Sequence, residues 1–185
     1  MTTATADPIS VKLDQLFAAT DTDGDGYVDW SDYQRLVDRY LAGYKIDKSD
    51  RRAQALLISY QMQWAELLRH ADGVNRLSKE QYHLASRAAS VDTSRFNMVE
   101  GVPHAIFDIM DIDGDNSISK SEFKQYLEVW NITDPSAFDA FTHLDTDGDG
   151  AISRQEFIRA VREFFYSMDL EAPGSLIFGR LSTDA

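Results

Sequence analysis

Apolar positions along this chain recur at helical spacing, and they do so in blocks. Ile9, Leu13, Leu16 and Phe17 stand at i, i+4, i+7 and i+8, which makes one face of a helix. Phe107 and Phe141 each lie four residues before an acidic run, the same offset that separates Phe17 from Asp21. An aromatic follows each of four loops at once (Tyr33, Tyr82, Phe123, Phe157), with Leu36, Val37, Leu127 and Val161 continuing at helical spacing. The pattern predicts helix, twelve-residue loop, helix, four times over, with strands essentially absent.

The connectors vary. Residues 33–69 read as two helices broken near 42–48, with Ser49 capping the second and Leu56, Leu57, Tyr60 and Trp64 on its buried face. Residues 90–103 read as a hinge between halves spanning 1–90 and 102–185. Phe96, Met98 and Val99 make that hinge a packed segment rather than a free linker. After Pro173-Gly174 the tail carries Leu176, Ile177, Phe178 and Leu181, too apolar for a solvated end. It is expected to fold back on the helices, completing one compact all-α domain.

The acidic runs repeat. DxDGDxxIS occurs at Asp111 and Asp145, DTDGDGYVD opens at Asp21, and a weaker copy, HADGVNRLS, starts at His70. Calcium takes six to eight hard oxygen ligands, and a twelve-residue loop supplies them from positions one, three, five, seven, nine and twelve. Loop 145–156 meets each demand. Asp145, Asp147 and Asp149 offer carboxylates, Ala151 its carbonyl, Ser153 a place for a water, and Glu156 both oxygens. Gly150 stands at position six, where the chain turns sharply. Loop 111–122 offers Asp111, Asp113, Asp115, the Ser117 carbonyl and Glu122, with Asn116 at position six as a mild affinity cost.

Loop 21–32 offers Asp21, Asp23, Asp25, the Tyr27 carbonyl and Asp29, but it closes on Asp32 where glutamate is expected. The shorter side chain implies a tighter shell, so this site is expected to take calcium or magnesium. Loop 70–81 is silent: His70, Val74, Asn75 and Gln81 leave Asp72 as its one carboxylate at a ligand position. Leu77 is kept at position eight, which predicts short backbone bridges pairing Val28 with Leu77 and Ile118 with Ile152.

Composition narrows the function. The formal charge is −13, from 31 acids against 18 bases. Thirteen acids lie at ligand positions of the three acidic loops, and the remaining 18 balance the bases, so the acidity belongs to the loops. A phosphate backbone would be repelled, which excludes nucleic acid as a partner. No apolar run reaches membrane-spanning length, residues 1–10 lack the pattern of a secretory signal, and cysteine is absent. A cytoplasmic monomer is expected. His70, His83, His104 and His143 are widely separated and do not read as a zinc site. Trp30, Trp64 and Trp130 read as core filling. No nucleophile–base set or phosphate-cradling loop appears, so catalysis is not expected.

On its loops, the chain resembles the EF-hand superfamily over nearly its whole length. The active first, third and fourth loops, the degenerate second, the long first connector and the tail from Ala172 to Gly179 resemble the sarcoplasmic calcium-binding protein and calerythrin type. The resemblance implies four EF-hands in two pairs and a role as calcium buffer or signal carrier without enzymatic activity. A sensor, which would expose an apolar groove to a target protein, is the alternative. Only five methionines are present, whereas adaptable grooves are methionine-rich. Photoproteins and luciferin-binding proteins share the loop pattern and form a third, lesser alternative.

Overall fold

Helix α1 (Pro8–Thr20) starts where the Asp7 carboxylate accepts the Ser10 amide, and Pro8 fills a first position that needs no donor. Its Ile9, Leu13, Leu16 and Phe17 are buried, as their spacing predicts. The structure, a computed structural model, describes residues 7–72 and 74–179. α2 (Trp30–Gly43) follows the first loop, and α3 (Arg51–Arg69) and α4 (Lys79–Val91) flank the second. α5 (Gly101–Met110) and α6 (Lys120–Val129) flank the third, and α7 (Ala140–Leu144) and α8 (Arg154–Tyr166) the fourth.

The break between α2 and α3 is where the pattern places it, but the cap is not. Asp50, not Ser49, starts α3, because its carboxylate accepts the Arg52 amide at 2.8 Å while the Ser49 hydroxyl is spent on Asp47. Leu56, Tyr60 and Trp64 are buried on α3, and Leu57 only partly so.

Strand is confined to two bridges between loops. β1 (Tyr27–Asp29) pairs antiparallel with β2 (Arg76–Ser78), setting Val28 opposite Leu77. β3 (Ser117–Ile118) pairs with β4 (Ile152–Ser153), setting Ile118 opposite Ile152. All four of these apolar residues are fully buried, so each bridge is pinned from beneath by the core.

The helices around the first two loops interlock with those around the last two through α3 on α5, α2 on α6 and α1 on α8. Buried hydrogen bonds join the two groups. The Trp130 indole donates to the Tyr40 hydroxyl at 2.7 Å, and the Tyr44 hydroxyl donates to the Glu122 carbonyl at 2.8 Å. The connecting segment is packed, with Met98 and Val99 buried and the Phe96 ring seated against Gly101.

The tail folds back as its composition predicts. A 3-10 turn (Pro173–Leu176) lies on α8, and the Gly174 amide donates to the Glu163 carboxylate at 2.9 Å. Ile177 is buried, and the Phe178 ring lies 4.9 Å from Trp130 and 5.2 Å from Phe164. Leu181 lies outside the described residues. Lys12 of α1, wholly buried, closes the end of α8 by donating to the carbonyls of Glu163 (3.0 Å) and Ser167 (2.7 Å). Burial lowers its pKa to about 8, against the opposing pull of Asp7, Glu163 and Asp169.

Candidate metal centre

The chemistry of each loop begins with backbone amides that set its first aspartate. In loop 145–156, Asp145 accepts the amides of Gly148 (2.9 Å), Asp149 (3.1 Å) and Gly150 (2.9 Å). A carboxylate has about four acceptor sites, so this grip leaves capacity for an ion. Two turns permit it: Gly148 and Gly150 both sit at positive φ, 73° and 93°. The Ala151 amide donates to Asp149 at 2.9 Å, continuing the curl.

Glu156 closes the loop from the first turn of α8. One oxygen takes the Thr146 amide and hydroxyl (2.7 and 2.8 Å), and the other takes the Ser153 amide and hydroxyl (both 2.8 Å). Burial alone would raise this carboxyl, but those hydrogen bonds outweigh it and hold its pKa at about 2. Oxygens of Asp145, Asp147 and Glu156 lie within 4.8 Å of one another. They are hard donors of the kind calcium requires, converging from both ends of the loop.

Loop 111–122 repeats this geometry. Asp111 accepts the amides of Asp115 (3.1 Å) and Asn116 (3.0 Å), and Ser117 donates its amide to Asp115 at 2.8 Å. Glu122 takes the Ile112 and Ser119 amides, both at 2.8 Å, and converges with Asp111 and Asp113 within 4.8 Å. Asn116 adopts the left-handed turn at φ 65°. Its side-chain oxygen also accepts from Arg154 of the paired loop at 3.1 Å, and Arg154 in turn holds Asp108 at 2.7 Å. Asparagine at position six is thus a cross-loop contact as well as a turn.

In loop 21–32, Asp21 accepts the amides of Gly24 (2.9 Å), Asp25 (3.2 Å) and Gly26 (3.0 Å), and the Tyr27 amide donates to Asp25 at 2.8 Å. Asp21, Asp23 and Asp25 converge within 4.8 Å. Asp29 and Asp32 do not join that trio. Asp29 caps α2 by accepting the Ser31 amide at 2.7 Å. Asp32 takes the Asp29 amide (2.8 Å), the Thr22 amide (2.9 Å) and the Arg35 guanidinium (2.6 Å). Burial would raise the Asp32 carboxyl, yet these donors outweigh it and lower its pKa.

Loop 70–81 keeps the frame without the charges. Ser78 and Gln81 form the same reciprocal cap that Ser153 and Glu156 form, with the Ser78 amide donating to Gln81 at 3.0 Å. His70 ends α3, 3.6 Å from Asp92. Among the described residues no carboxylate cluster forms here. Arg76 lies over the Tyr27 ring at 4.0 Å, so loop 70–81 braces its partner.

Three features of the loops lie outside the ligand pattern: the position-four glycines, the threonines at position two, and Arg35. The first two carry a signal, since DGD recurs in all three acidic loops and DTDGDG in two. Arg35 carries none, because Arg159 stands at the same offset in loop 145–156 and makes no ion pair among the described residues.

The profile of the EF-hand domain pair matches residues 104–162, and that of the EF hand matches residues 13–37. No curated protein matches the chain in sequence. Among solved structures, a Streptomyces coelicolor calcium-binding protein concerned with prokaryotic calcium-mediated regulation is 26% identical. That match covers 85% of this chain and 97% of its own, with a TM-score of 0.72. The calcium-loaded apo form of the coelenterazine-binding protein of Renilla muelleri is 25% identical, covering 94% and 96%, with a TM-score of 0.66. A sarcoplasmic calcium-binding protein from amphioxus shares the fold at 18% identity, covering 93% and 97%, with a TM-score of 0.71. Its loops, its paired bridges and these likenesses place residues 13–37 and 104–162 in the EF-hand family of calcium-binding domains, and the chain as a whole has the fold of EF-hand calcium-binding proteins.

Proposed function

We propose that this chain is a cytoplasmic, monomeric calcium buffer or carrier holding three ions, with residues 1–90 and 102–185 as its two paired halves. Asp145, Asp147, Asp149, the Ala151 carbonyl and Glu156 would hold one ion. Asp111, Asp113, Asp115, the Ser117 carbonyl and Glu122 would hold a second. Asp21, Asp23, Asp25, the Tyr27 carbonyl, Asp29 and Asp32 form the third set, which takes calcium or magnesium. A bound ion supplies charge neutralisation to each acidic loop; the chain supplies the oxygens and the turns that aim them.

The observation that carries the buffer role is the seated tail. Ile177 and Phe178 cover the apolar surface between Trp130 and Phe164, where a target helix would otherwise dock. The Gln15 side chain fastens the segment by donating to the Phe178 carbonyl at 3.0 Å. A sensor is the second reading, favoured by the regulatory setting of the Streptomyces relative. A luciferin carrier is disfavoured by the interior. The cavity bordered by Tyr33, Tyr60, Gln63 and Trp130 is about 70 Å³, against the roughly 300–1,000 Å³ that drug-sized ligands occupy.

Calorimetric titration with calcium and magnesium, read beside apolar-dye fluorescence, tests this reading. Three sites with a flat dye response support a buffer. A strong calcium-specific dye signal would replace it with a sensor.

A further inference from the structure

Loop 21–32 departs from its two acidic relatives at its closing residue. In the others, the first and last carboxylates converge; here Asp32 stands apart from the trio Asp21, Asp23 and Asp25. Arg35 spans the gap. One guanidinium nitrogen donates to Asp23 at 2.7 Å and to Asp32 at 2.6 Å, and Nε donates to the Thr22 hydroxyl at 2.6 Å. A positive charge therefore already sits between two carboxylates that ion binding would recruit. The residue at the same offset in loop 111–122, Gln125, turns away to Glu128, and Arg159 in loop 145–156 is exposed.

We infer that Arg35 is a tethered cation that competes with the divalent ion for Asp23 and Asp32, and so sets the affinity and ion preference of loop 21–32. The inference rests on the reading of that loop as an ion site. A guanidinium stays charged at all accessible pH, so the competition is permanent. Its weight falls unequally on the two ions. Calcium fills its shell with six to eight oxygens and draws on a closing carboxylate, whereas magnesium keeps several waters and needs only one or two carboxylates. Holding Asp23 and Asp32 thus opposes calcium more than magnesium. Arg35 is part-exposed, so each contact is worth no more than a few-fold in an equilibrium constant. Losing both should tighten calcium binding by about three- to tenfold.

The test is calorimetry on the full chain carrying Glu122→Gln and Glu156→Gln, which silence the other loops while keeping their caps, as Gln81 does in loop 70–81. Adding Arg35→Met should tighten calcium binding about three- to tenfold and magnesium binding less. Arg35→Lys, which keeps the charge without the fork, should fall between. Equal calcium affinity with and without Arg35 overturns the inference while leaving the loop an ion site. Absence of binding in both chains overturns the site itself and the inference with it.

Discussion

Gly174→Ala is the sharpest probe of the tail. A Cβ at this position would lie 2.1 Å from the Ala160 carbonyl oxygen, 2.5 Å from Glu163 Cβ and 2.8 Å from the Ala160 carbonyl carbon. Two of these atoms belong to the backbone of α8, which its own hydrogen bonds hold in place. The segment 173–179 must therefore lift by more than 1 Å, to reach the contact distance of about 3.5–4.0 Å at which carbon atoms attract. Overpacking of this kind costs about 1–3 kcal/mol. The loss is bounded above by what seating Ile177 and Phe178 contributes, about 1.5–3 kcal/mol for each side chain fully buried. In a chain of this length each kcal/mol lowers the melting temperature by about 2–4 °C. Thermal unfolding in chelator should show that drop. Apolar-dye fluorescence should rise as Phe178 leaves Trp130 and Phe164. An unchanged melting temperature with an unchanged dye signal would refute the claim that the tail closes this surface.

Tyr40→Phe leaves the buried Trp130 indole N–H without its acceptor, and urea unfolding of the ion-free chain should show a loss of about 1–3 kcal/mol. Asn116→Ala keeps the left-handed turn but loses both the tolerant side chain and the Arg154 contact. It should cost about 1–2 kcal/mol, and Asn116→Gly less, since glycine adopts that φ freely; equal losses would sink the backbone argument. Lys12 has a folded pKa of about 8 against an ordinary 10.5. Between those values the unfolded chain binds more protons there, so the stability of wild type relative to Lys12→Met should rise from pH 8 to 10.5 and stay level below 8. Parallel profiles across that window would contradict the burial of its charge.

Most of the candidate site was legible because an EF-hand loop is a local object. Its ligand positions, turn residues and caps lie within twelve residues, and the buried pairs Val28–Leu77 and Ile118–Ile152 follow from one inward residue per loop. The start of α3 was not legible at single-residue resolution. Ser49 and Asp50 are both good caps, and the choice turns on Asp47 taking the serine hydroxyl. Contacts between distant elements left no trace in the pattern. Lys12 meets the end of α8 more than 150 residues away, Tyr40 meets Trp130 across the two halves, and Arg35 turns onto its loop while Arg159 does not. The Asn116–Arg154 contact was not legible, because the partner belongs to another loop.

How many ions the chain holds, and in which loops, can be counted directly. Equilibrium dialysis or native mass spectrometry with saturating calcium should find three ions on the wild-type chain, and two each on Glu122→Gln and Glu156→Gln. A fourth ion, removed by Asp72→Asn, would contradict the silence of loop 70–81. Retention of all three ions after Glu156→Gln would contradict the assignment of loop 145–156 as a calcium site.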